Sequence, residues 1–133
     1  MTQLHEAHTT FPLSVDAPRA ARRWLHTTSV VPRELVDAVD LVVSELVSNS
    51  VAHSGLGRDD VVSVHIASSP GGVNGEVVDE GRGIGTAPKF RPRSLGLRIV
   101  GNTADRWGHT DHPTRVWFEF TTAGAHSSHR PAA

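Results

Sequence analysis

The chain has 133 residues, of which 38% are apolar and 20% charged, and its net charge is −1. That is enough for one domain with one core, and the charge balance gives no reason to expect nucleic acid or an anionic membrane as a partner. The absence of cysteine excludes disulfides, zinc ribbons and thiol catalysis, and suits a reducing compartment. No apolar run is long enough to cross a bilayer. The start, MTQLHEAHTT, lacks the basic and apolar blocks of a signal peptide, so the expected location is the cytoplasm.

In chain order, LHEAHTTFPLSV has no clean period and reads as a short edge strand closing at Pro12. Asp16 stands as a helix N-cap with Pro18 in the first turn. Ala17, Ala21, Trp24, Leu25 and Thr28 form an apolar stripe at helical spacing, which predicts an amphipathic helix over 17–28. Pro32 opens a second helix that runs from Arg33 to about Ser54, where Gly55 stops it. Residues 60–67 alternate, with Val62, Val64 and Ile66 on one face. SPGG is a turn signal, and VNGEVVD (73–79) is a second strand, so the two form a hairpin. Residues 80–94 read as a loop, and 95–106 as a helix weakened by Gly101. RVWFEF (115–120) is a final strand with Val116, Phe118 and Phe120 on one side. The domain spans 1–121, and the tail 122–133 has a disordered composition. The order β-α-α-β-β-loop-α-β predicts an α+β, two-layer sandwich: a mixed, mostly antiparallel sheet with helices on one face.

Three stretches carry chemistry. The first is SELVSNSVAHS (44–54), where Glu45, Asn49 and His53 fall four apart. On a helical wheel Glu45 and Asn49 lie among leucines and valines, while Asp37, Asp40, Ser44 and Ser48 lie opposite. A carboxylate and an amide buried without partners cost several kcal/mol in order of magnitude, so a structural hydrogen-bond network, a helix face only partly covered by the core, or a ligand must account for them. An Asn oxygen suits a hard cation and a Glu one turn away suits proton acceptance, which together fit magnesium-dependent phosphoryl transfer. The second stretch is VVDEGRGIG (77–85), a carboxylate at a strand end followed by three alternate glycines. Asp79 there can accept from an exocyclic amine such as that of adenine, and glycines let backbone approach a ligand; taken alone, the pattern is better explained by a plain loop. The third is SLGLRIV (94–100), a helix start behind the basic loop KFRPR (89–93). It offers free N–H groups and positive charge to phosphate.

In this order and spacing the three stretches resemble the N, G1 and G2 boxes of the GHKL ATPase superfamily. FPLSVDAPRAARRWL, LVVSELVSNSVAHS and LRIVGNTADRWG…RVWFEF carry a closer resemblance, over residues 11–120, to the short anti-sigma-factor serine/threonine kinases of the RsbW type in actinobacteria. The resemblance implies that Asn49 coordinates Mg²⁺ on the ATP phosphates and that Glu45 is the general base. It implies that Asp79 binds the adenine amine, with Gly81 and Gly83 shaping the purine pocket beside Ile84 and Gly85. Residues 85–94 would be the ATP lid, and Ser94, Leu95, Gly96 and Leu97 would hold phosphates through backbone N–H groups. Arg98 would assist electrostatically. The implied partners are a STAS-domain anti-anti-sigma protein, phosphorylated on serine, and an RNA polymerase sigma factor; a homodimer is expected, with neither nucleic acid nor membrane contacted directly.

The sequence departs from such relatives at HPTRVW (112–117), where a Gly-Lys-Thr-like stretch is usual. The threonine that supports adenine through water is thus expected to be displaced or replaced by Arg115, and the lid is short. That departure keeps open a non-catalytic ATP-binding module acting through protein–protein contact, and beside it an ATPase fragment of a larger machine, disfavoured because the chain reads as complete. The pairs His109/His112 and His126/His129 lack further ligands in register and are not read as zinc sites. His53 is read as a core or pocket-edge residue. The three tryptophans are read as packing and partner-surface residues.

Overall fold

The structure is a computed structural model that describes residues 5–53, 59–80, 93–110 and 113–122. Its elements are β1 (His5–Pro12), α1 (Ala17–Thr27), a 3₁₀ turn (Arg33–Leu35), α2 (Val36–His53), β2 (Val61–Ser69), β3 (Gly72–Asp79), α3 (Arg93–Thr103), β4 (Arg106–Thr110) and β5 (Thr114–Thr121). The five strands form one sheet in the order β1-β2-β3-β5-β4. All four pairings are antiparallel, so the sheet has no parallel component among the described residues.

Strand alternation decides which face is covered. Val62, Val64 and Ile66 of β2, Val73 and Val77 of β3, and Val116, Phe118 and Phe120 of β5 share one buried face. The helices cover it: Ala17, Ala21 and Leu25 from α1, Val39, Val42, Val43, Leu46 and Val47 from α2, and Leu97 and Val100 from α3 all join the same core. Helix α2 packs against both α1 and α3 and so lies between them. The opposite sheet face is polar and pairs its own charges. His65 Nε2 lies 2.9 Å from Glu6 Oε1, Arg106 lies 3.7 Å from Glu119, and Arg115 pairs with Glu76.

β1 closes at Pro12 as the sequence suggests, and it is an edge strand, with β4 at the other edge. Asp16 occupies the N-cap position of α1, but its side chain makes no capping bond there; its own N–H donates to Ser14 Oγ at 3.3 Å.

Two expectations are corrected. The third helix ends at Thr103 rather than running on to Arg106, and Arg106–Thr110 is a strand. RWGHT hides its period because Gly108 sits in its middle. Gly108 is there because Trp117 lies across it: a Cβ would come within 2.6 Å of the indole. His109 therefore belongs to β4 and not to a turn. The second correction concerns α2. Asp40, placed on the solvent side by the wheel, is buried at 7% exposure. Helix α1 covers that flank, with Arg22 Nε and His26 Nε2 each 3.3 Å from the Asp40 carboxylate. Leu41, placed on the apolar side, is 43% exposed.

The two leucines of α2 give a direct check. Leu46→Ala removes a side chain that is 2% exposed and should cost about 2–5 kcal/mol in urea unfolding. Leu41→Ala should stay within about 0.5 kcal/mol of the parent.

Candidate functional site

Helix α2 brings the candidate residues together. Its buried arc centres on Val39, Val43, Val47 and Ser50, and Glu45 and Asn49 stand at the margin of that arc, half-buried. They stand at its edge rather than within it, because α2 is embedded on the sheet and α1 sides. The margin they occupy faces α3. A Cβ on Gly96 would lie 3.2 Å from Glu45 Oε1 and 3.9 Å from Asn49 Oδ1. Glycine at 96 thus lets the first turn of α3 approach both polar groups.

Ser94, Leu95 and Gly96 fall within that first turn, where helix N–H groups have no partner inside the helix. Leu97, expected beside them at the phosphates, points its side chain into the core at 8% exposure. Arg98 is exposed on α3.

One residue along from Asn49, Ser50 faces the sheet. Its Oγ donates a hydrogen bond of 2.6 Å to Asp79 Oδ2. Asp79 is the last residue of β3 and only 3% exposed, and Ser50 is 8% exposed. A carboxylate this deep requires donors, and Ser50 supplies one. Directly opposite Asp79 in the β3–β5 register stands Thr114. Its hydroxyl is buried and has no hydrogen-bond partner among the described residues. Thr114, and not Arg115, thus faces the Asp79 end of β3: strand β5 begins one residue earlier than the alternation RVWFEF suggests. Arg115 points to the other sheet face, where it holds Glu76.

Ser50 and Thr114 were therefore missed by sequence reasoning. Extending the alternation Val116, Phe118, Phe120 back by two residues reaches Thr114, and that signal was available. Nothing in the sequence ties Ser50 to Asp79, which is 29 residues away. Gly81, Gly83, Ile84, Gly85, most of KFRPR and of the lid, and the tail from residue 123 lie outside the described residues, as do His112, His126 and His129.

The donor set fits a magnesium nucleotide. Mg²⁺ takes one or two protein oxygens and fills its shell with phosphate and water, and Asn49 Oδ1 beside the start of α3 offers such an oxygen. No group of three or more acidic or histidine side chains among the described residues could hold a metal by itself. The buried carboxylate of Asp79 and the unsatisfied hydroxyl of Thr114 suit a ligand with polar ring atoms.

Comparison with known proteins decides the family. A model described as the histidine kinase-like ATPase domain matches residues 11–120. This chain belongs to that family. It is an ATPase domain of GHKL type, and the boxes read from the sequence fall on α2, the end of β3 and the start of α3. A crystal structure of the RsbU and RsbW domains of a protein from Mycobacterium tuberculosis shares the fold, with a TM-score of 0.63 and 20% sequence identity. The match covers 87% of this chain and 32% of that one, so this chain spans about a third of its length. No curated protein matches this chain. No helix among the described residues is long and apolar enough to cross a membrane.

The two residues opposite each other should respond to mutation in opposite ways. Thr114→Val deletes a buried hydroxyl that has no partner among the described residues; it should leave the nucleotide-free protein as stable as the parent, or up to about 1 kcal/mol more so. Asp79→Ala leaves the Ser50 hydroxyl buried without its acceptor and should cost about 1–3 kcal/mol. Urea unfolding without nucleotide measures both.

Proposed function

We propose that this chain is a Mg²⁺- and ATP-dependent protein serine/threonine kinase that acts as an anti-sigma factor. In this reading it phosphorylates a serine of a STAS-domain anti-anti-sigma protein and sequesters an RNA polymerase sigma factor, as a homodimer in the cytoplasm. The observation that carries the proposal is the close approach of Glu45 and Asn49 to Gly96 at the start of α3. A carboxylate and an amide oxygen, suited to accept a proton and to hold a metal, then lie beside the N–H groups that would hold phosphates. The RsbW domain of the mycobacterial neighbour is consistent with it.

Each residue has a role. Asp79 would accept from the adenine amine, and Thr114 would support the ring through water. Asn49 would hold Mg²⁺, which, when bound, neutralises charge on the phosphates. Ser94, Leu95 and Gly96 would cradle the phosphates, with Gly81, Gly83, Ile84 and Gly85 completing the nucleotide pocket. Glu45 would accept the proton of the substrate serine as its oxygen takes the γ-phosphoryl group and ADP departs. Such transfer depends mainly on positioning and charge stabilisation. Thr114, opposite Asp79 in the β3–β5 register, favours this reading over a non-catalytic, partner-binding module.

The test is incubation with labelled ATP, Mg²⁺ and candidate STAS-domain proteins. Label should appear on serine. Glu45→Ala should lower transfer by about 10²-fold or more while ATP binding holds within about threefold. Transfer that survives the substitution would remove Glu45 as the base. ATP binding with no transfer to any STAS protein would restore the non-catalytic module.

A further inference from the structure

Helix α1 carries its charge on one flank. Arg19, Arg22, Arg23 and His26 recur at spacings of three and four, so they form a single exposed stripe. The stripe borders a groove of about 640 Å³ between α1 and α2, whose other wall is Ser44 and Ser48. No carboxylate lines it. Asp40, buried between the two helices, takes Arg22 and His26. Arg19 and Arg23 have no hydrogen-bond or ion-pair partner among the described residues. Three guanidiniums thus face one carboxylate, in a chain whose net charge is −1.

The α2 wall accounts for the shape of the groove. At about 100° per residue, Ser44, Ser48 and Leu41 follow Asp40 round the helix, and Glu45 and Asn49 come after them. Serine side chains are short, so α2 leaves the space beside the arginines open. Leu41, on the far edge of that strip, is 43% exposed. The arginine stems add apolar surface while their heads stay charged. Cations on one bank and a bare leucine on the other complement a helix with an acidic flank and an apolar edge. Two packed helices also leave a furrow that a third helix fits by ridges and grooves. A nucleic-acid duplex would instead call for a broad basic surface, and here the cations stand on one side only.

We infer that the groove between α1 and α2 is a docking site for an acidic, amphipathic helix of a protein partner. The inference stands apart from the kinase reading, because none of these residues belongs to the nucleotide site. It places the partner on the strip of α2 next to the one that carries Glu45 and Asn49.

Fluorescence anisotropy on the full chain tests this with a labelled peptide of about 20 residues, long enough to form a helix. Glutamates occupy one face of the peptide, leucines an adjoining edge and alanines the rest. The parent should bind it, more weakly as salt is added. Arg19→Glu together with Arg23→Glu should weaken binding by about tenfold or more. Ser48→Tyr, which fills the groove without changing charge, and Leu41→Ala should each weaken it by about threefold or more. Arg33→Glu, at an exposed arginine outside the groove, should stay within about twofold of the parent. Urea midpoints close to the parent's show that each loss reads on docking alone. A parent that does not bind the peptide overturns the inference. So does parent-like binding by the arginine pair variant, or by both Ser48→Tyr and Leu41→Ala, since the cations then act only as diffuse charge. A peptide of the same composition broken by prolines that binds equally well overturns the helical occupant. A DNA duplex that displaces the labelled peptide at lower concentration than unlabelled peptide does overturns the protein occupant.

Discussion

The hydrogen bond between Ser50 and Asp79 joins the two layers of this protein at the point where the site is built. An aliphatic core holds α2 against the sheet without fixing how far the helix turns about its axis, because dispersion and burial are not directional. A short bond from a helix serine to a strand carboxylate supplies a direction. With Ser50 toward the sheet, the next residue back, Asn49, faces the start of α3, and Glu45 follows one turn earlier. The positions of Glu45, Asn49 and Ser50 are thus three consequences of one rotational setting of one helix.

The GHKL resemblance and the described geometry meet on the same elements. The three stretches singled out in the sequence sit on a helix margin, a strand end and a helix start, and among the described residues those three lie together. The catalytic assignments belong to the proposal, since a fold hosts more than one function. What the geometry adds is economy. Glycine at 96 removes the side chain that would crowd the Glu45 carboxylate, so α3 can approach without displacing it. Asp40, on the opposite flank, ties α1 to α2 through Arg22 and His26, so the helix layer is braced on the side away from the site.

Much of the fold was legible because its elements carry strong periods. The stripe of α1, the long proline-free run of α2 and the alternation of β2 and β5 are each set by burial on one face. The failures share a cause. A helical wheel records one helix and cannot say how many neighbours it has, so Asp40 was read as solvated when α1 lay over it and Leu41 as buried when nothing described did. β4 was lost because its pattern is one tryptophan beside a glycine whose reason is a tryptophan on the next strand. Of the site, Glu45, Asn49 and Asp79 were legible from motif and spacing. Ser50 was not, because its partner lies in another layer, and Thr114 was misplaced by a strand boundary drawn one residue late.

The polar face of the sheet has a consequence for how the molecule meets others. Glu76 with Arg115, and Glu119 with Arg106, pair charges within that surface, where His65 and Glu6 share a hydrogen bond. Opposite charges a few ångströms apart cancel one another's field within a short distance. Seen from beyond a Debye length, these two ion pairs are close to electrically silent. They will not steer a partner from afar, and changes in ionic strength will alter encounters at them little. A molecule that binds on this side must first exchange an existing pair for a new one, so recognition there would be slow to form and governed by fit at contact.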